Sequence, residues 1–128
     1  MSVTIGLKGE ASDMVSRETT AKAAGSGSLL VYGTPYLVAL MEKAACTALE
    51  PFLEEGQSSV GTRLDVHHDS ATPVGMEVRA EAEVTAVEGR KITFRVSAWD
   101  EKGPIGGGTH ERFLIRTESF LQKTYDKI

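Results

Sequence analysis

The chain has 128 residues, 41% of them hydrophobic and 25% charged, which suits an ordinary globular domain with room for a single core. A net charge of -4 argues against a nucleic-acid partner, since phosphate backbones are bound by basic faces. The lone cysteine, Cys46, excludes an internal disulfide framework, and no apolar run approaches the ~20 residues that span a bilayer. With no signal-peptide pattern at the N-terminus, the expected location is the cytoplasm and no membrane contact is expected. Neither an internal repeat nor a domain boundary appears, so residues 1–128 are expected to form one domain.

In chain order, the segment from Val3 to Val15 alternates at Val3, Ile5 and Leu7 and carries a second apolar pair, Met14 and Val15; it predicts an edge strand. Ala21 to Ser28 is small, polar and glycine-rich, the composition of a mobile loop. Thr34-Pro35 is a helix-start signal, a hydroxyl N-cap followed by proline at the first helical position. Beyond it Leu37, Leu40, Met41, Ala44, Ala45, Ala48, Leu49 and Phe52 recur at helical steps, predicting a long helix to about Leu53 that Gly56 ends. Pro51, inside the last turn, predicts a kink there or an earlier stop.

Strands follow. Thr62, Leu64, Val66 and His68 alternate against Arg63, Asp65, His67 and Asp69, and Val78 to Ala86 does likewise against charged neighbours. Glu88-Gly89-Arg90 predicts a hairpin turn, after which Ile92, Phe94, Val96 and Ala98 face inward. Lys102-Gly103-Pro104 predicts the next turn, and Gly106 to Arg116 the last strand. Several long antiparallel strands after one apolar-striped helix define an α+β fold, most simply with the sheet wrapped around the helix.

Function is sought where polar residues interrupt apolar faces. Glu42 falls about 20° from Leu49 on the helix wheel, at the margin of the stripe. It is either an ordinary helix-edge glutamate reaching solvent or a partly desolvated carboxylate, reactive toward an electrophile. His68 shares the strand face of Leu64 and Val66, as a satisfied core histidine or as a general acid or base; His67, on the opposite face, is expected to be solvated. Thr34 is accounted for by capping, but the N–H groups and positive dipole end gathered there would also stabilise a developing oxyanion. The weaker candidates are His110 and Glu111, strand neighbours that cannot share a face, and Gly106-Gly107-Gly108, which marks a bulge or a close backbone approach. Cys46 reads as helix packing, and the histidines are too scattered for a metal site.

In order and at compatible spacing, Gly33-Thr34-Pro35-Tyr36-Leu37-Val38-Ala39-Leu40-Met41-Glu42, Gly61-Thr62 to His67-His68, Ala71-Thr72-Pro73, Val87-Glu88-Gly89-Arg90 and Gly108-Thr109-His110-Glu111-Arg112 resemble the fluoroacetyl-CoA thioesterase-like branch of the hotdog proteins. The resemblance runs from about Val31 to Ile115. It implies a hotdog fold, an antiparallel sheet curled around a long central helix, acting as a homodimer or a dimer of dimers with active sites near a dimer interface. It also implies hydrolysis of an acyl-CoA substrate without metal or organic cofactor, catalytic residues at Thr34, Glu42 and His68, and a substrate-binding backbone contribution at Gly61. Family members selective for the fluorinated substrate carry a longer, aromatic-bearing lid before the threonine. Here that stretch is the short Gly25 to Leu30, with no aromatic until Tyr32, so a different short or medium acyl group is expected. An enoyl-CoA hydratase and a non-catalytic acyl-CoA binding module are the alternatives.

Overall fold

The computed structural model describes residues 2–128. Alternation in the chain becomes one five-stranded antiparallel sheet: β1 (Lys8–Met14), β2 (Gln57–His68), β3 (Glu77–Glu88), β4 (Lys91–Asp100) and β5 (Gly103–Arg116). The spatial order β1-β3-β4-β5-β2 leaves β1 and β2 as the two edges. Helix α2 (Thr34–Leu49) packs on the inner face, against β1 and β3 most extensively and against β2 and β4 as well. Two smaller helices, α1 (Ala21–Ala24) and α3 (Thr117–Tyr125), flank it in the chain.

The core lies where the two periods meet. Val78, Ala80, Ala82 and Val84 on β3 and Ile92, Phe94, Val96 and Ala98 on β4 are all buried, paired as Ala80 with Ala98, Ala82 with Val96 and Val84 with Phe94. The helix supplies Leu37, Leu40, Met41, Ala44, Ala45, Ala48 and Leu49. The inward positions expected of these three elements are buried except Ala86, at a register shift between Val84 and Ala86, and Phe52, which lies beyond the end of α2 and is only half-buried.

Several expectations are corrected. The strand at the first edge is Lys8–Met14, so Val3, Ile5 and Leu7 precede it; its inner face carries Gly9 and Ala11, because β1 crosses α2 too closely for larger side chains. Ala21–Ala24 is a helical turn rather than a mobile loop, with the Thr20 hydroxyl accepting from the Ala23 N–H at 3.1 Å and Gly25 at φ 71° closing it. Thr34 does not cap α2: Gly33 is the N-cap, and Thr34 and Pro35 are the first two helical residues. The helix stops at Leu49, and a 3₁₀ turn, Glu50–Phe52, accommodates Pro51. Cys46 is exposed instead of packed. Strand β5 starts at Gly103, which tightens the predicted turn. The sequence reading contains no helix α3; none of its residues is buried, and Phe120, Leu121 and Tyr125 are exposed along it. Among the described residues no helix is long and apolar enough to cross a membrane.

Candidate active site

Two polar clusters occupy the junction of α2 with the edge strand β2. The first forms at the helix start. Gly33 takes the N-cap position because a Cβ there would stand 3.0 Å from the Tyr36 ring and 3.1 Å from the Ala21 nitrogen. The Thr34 hydroxyl is thereby released from capping and lies 2.7 Å from His68 Nδ1, at the far end of β2. Pro35 has no N–H, and Tyr36 and Leu37 donate to the Gly33 carbonyl, so Thr34 offers the amide at this end that a ligand oxygen could use. The amide array expected from the sequence is accordingly narrower.

Burial lowers the His68 pKa below its ordinary 6.5, with the Ser70 backbone and the Asp69 charge offsetting part of that effect. The ring is therefore neutral at neutral pH and able to accept a proton. Its Nε2 is buried and has no hydrogen-bond partner among the described residues. An orphaned imidazole nitrogen beside a paired one is an incomplete arrangement. His67, as expected, faces solvent, where it pairs with Asp69 at 2.5 Å.

The second cluster surrounds Glu42, eight positions along the helix from Thr34 and so about 12 Å further along its axis. Its Oε2 accepts from Arg112 Nη1 at 3.0 Å and stands 4.0 Å from His110 Nε2. Gly61 faces the same carboxylate: a Cβ on Gly61 would collide with Glu42 Oε2 and lie 3.1 Å from Arg112 Nη1. Arg112, only 6% exposed, donates further to Ser59 Oγ at 2.9 Å, to the Ser59 carbonyl at 3.2 Å and to His110 Nε2 at 3.2 Å. His110 is fully buried, stacked on Phe94 with ring centroids 6.1 Å apart.

The four candidates thus fall into two pairs, Thr34 with His68 and Glu42 with Gly61. No hydrogen bond or ion pair joins the pairs among the described residues of one chain. The sequence reading missed Arg112 as a partner of Glu42 and weighed His110 only beside Glu111 and as a metal ligand. The available signal was the i, i+2 spacing of His110 and Arg112, which puts both on one strand face.

A curled antiparallel sheet around a central helix, with polar groups of the helix facing a glycine and a histidine of the edge strand, defines a hotdog-fold protein of the thioesterase superfamily. The chain belongs to the fluoroacetyl-CoA-specific thioesterase family, FlK, whose profile matches residues 15–118. It is 46% identical over 97 residues to the fluoroacetyl-CoA thioesterase of Streptantibioticus cattleyicolor, covering 76% of this chain and 70% of that one. The solved structure of the fluoroacetyl-CoA thioesterase FlK superposes with a TM-score of 0.93 at 36% identity, covering 100% of this chain and 99% of that chain. A threonine-to-serine variant of FlK in complex with acetyl-CoA superposes with a TM-score of 0.92 at 37% identity, over 98% of each chain.

Proposed function

We propose that the protein hydrolyses a short or medium acyl-CoA thioester to the free acid and CoA, with Thr34, Glu42 and His68 as its reacting side chains and Gly61 beside the scissile carbonyl. The observation that carries this is the 2.7 Å contact between a helix-start hydroxyl and a neutral, half-buried imidazole. The thioester carbonyl rests over the start of α2, polarised by the Thr34 hydroxyl and N–H. Glu42 either attacks that carbon, giving an anhydride that water then opens, or deprotonates the water directly. In both routes the C–S bond breaks and CoA leaves as thiolate; the neutral His68 takes up the proton released by the hydrolytic water, directly or from Glu42, and passes it to the thiolate. Neither metal nor organic cofactor is required. The Gly25 to Leu30 stretch exposes only Leu29 and Leu30 as large apolar groups, with no aromatic to close over a fluoroacetyl unit. That favours a different acyl group. An exposed, unpaired Cys46 fits a cytoplasmic setting.

The reading includes a homodimer, which could pair further into tetramers, and the dimer supplies what one chain lacks. Strand β2 is a long edge whose outward Arg63 and Asp65 form no ion pair in their own chain among the described residues, although Glu111 stands across the ladder from Arg63. Two copies joining β2 edges about a two-fold axis keep inner face beside inner face only when the axis passes through a residue. An axis at Arg63 or Asp65 sets like charges against each other; an axis at Leu64 sets Arg63 against Asp65 twice. The bulge between Gly61 and Arg63 then brings His68 of one copy alongside the Ser59 to Gly61 stretch of the other. The orphaned His68 Nε2 thus enters the neighbourhood of the second copy's Glu42. This joins the two separated pairs into one site.

Incubation with a panel of acyl-CoA thioesters and a free-thiol reagent tests the proposal. Thiol release is expected, and Glu42→Gln should lower turnover by about 100-fold or more while substrate binding survives. Hydrolysis by Glu42→Gln at near the unmodified rate would sink it. So would loss of enoyl absorbance without free thiol, which is the hydratase outcome.

A further inference from the structure

Buried histidines need an explanation when no solvent can serve them, and His110 has one that the reaction above does not use. Its Nδ1 lies 2.8 Å from the Arg63 carbonyl oxygen. A carbonyl can only accept, so Nδ1 carries the proton. Nε2 faces Arg112 Nη1, which can only donate, at 3.2 Å. The two contacts therefore fix a single neutral tautomer, with a bare Nε2 pointed at the guanidinium. A proton on Nε2 would set N–H against N–H and turn the ring toward the Glu42 oxygen 4.0 Å away.

We propose that His110 is the positioning residue of this site: its Nε2 lone pair, together with the two oxygens of Ser59, holds the Arg112 guanidinium in the one orientation that presents Nη1 to Glu42. The inference rests on the thioesterase reading and names a group acting through another, not one that touches substrate. Ser59 holds one edge of the guanidinium through Nε and Nη2, and the His110 Nε2 contact fixes the Nη1 end from the buried side, so that Nη1 stays aimed at Glu42 when the carboxylate moves. Glu42 itself is 36% exposed in its side chain and gains its fixed position from this anchor. The other groups around the ring are consistent with a neutral form. Burial lowers the His110 pKa below 6.5, the Arg63 carbonyl opposes this, and the Arg112 charge lowers it again, with Glu42 and Glu111 opposing.

Two substitutions separate positioning from packing. In His110→Gln the amide oxygen reaches the Nε2 position and still accepts from Arg112; in His110→Asn the amide reaches only the Nδ1 position and keeps the Arg63 contact instead. Both lose the ring stacked on Phe94, so packing is damaged alike, which thermal melting checks. Expected is a kcat within about threefold of unmodified for His110→Gln, and a fall of roughly 10- to 100-fold for His110→Asn with KM little changed. Equal kcat in the two variants, or a loss confined to KM, overturns the proposal. Nitrogen NMR of the unmodified protein supplies a test that needs no variant. Of three histidines, His110 should show a protonated Nδ1 and a bare Nε2; the opposite tautomer or a doubly protonated ring at neutral pH also overturns it. Absence of thiol release from the unmodified protein would instead overturn the thioesterase reading, and is seen before any variant is made.

Discussion

Gly61 shows how much of this site is made of missing atoms. The Glu42 carboxylate fills the volume where its side chain would begin, backed by Arg112 and by His110 Cε1 at 3.2 Å from the same point. Arg112 and His110 are buried and cannot yield, so in Gly61→Ala the carboxylate must swing out. The variant should fold, because β2 is an edge strand, and should lose roughly 100-fold in kcat through a misplaced Glu42. Unchanged turnover would show that the carboxylate position seen here is not the working one. Glu42 and His68 were legible in the sequence because each breaks an apolar period whose phase its neighbours set, and Thr34 because Thr34-Pro35 marks a helix start. Arg112 and His110 were not, for a physical reason: three consecutive glycines, Gly106 to Gly108, carry no side chains to establish which face of β5 is inward. Alternation alone could not assign the residues that follow.

Among the elements, α2 was readable almost entire and β1 was found as an edge strand but begun too early, and one cause explains both. The helix buries large residues toward the sheet centre, so its stripe is written in Leu and Met; toward β1 it presents Ala44 and Ala48. Gly9 meets them backbone to backbone, and an added Cβ would come within 2.8 Å of Ala48 Cα and closer still to the Ala44 carbonyl oxygen. Contact made by absent side chains leaves no hydrophobic pattern, which is why the alternation at Val3, Ile5 and Leu7, of which Val3 and Leu7 pack on the core ahead of the strand, marked its start too early. Helices α1 and α3 escaped for a related reason, being short or unburied. Gly9→Ala should therefore cost on the order of 3 kcal/mol in urea unfolding, since neither backbone can give way cheaply. Ala11→Gly on the same strand should cost far less. A Gly9→Ala variant as stable as the unmodified protein would mean that β1 is free to lift off the helix.

At the scale of the whole molecule, the distance between the two pairs governs what one chain can do alone. Eight helical positions hold Thr34 and Glu42 about 12 Å apart along a straight axis, a gap longer than rotation of a threonine and a glutamate side chain can close. In the proposed dimer, joining the β2 edges would close it by symmetry instead. The charge pattern that selects the axis at Leu64 also makes the arrangement testable. Either reversal alone, Arg63→Asp or Asp65→Arg, replaces two attractive cross-strand pairs with two repulsive ones, which at exposed edges amounts to a dimer weaker by about 10- to 100-fold. Thiol release per chain should fall in step with dimer population as the protein is diluted. Combining the two reversals restores opposite signs at both contacts, so sedimentation and activity should recover together. Recovery of neither would place the interface on another face. Dimers that dissociate with activity intact would show that a single chain already holds a complete site, and that Glu42 and His68 reach each other by a movement of β2.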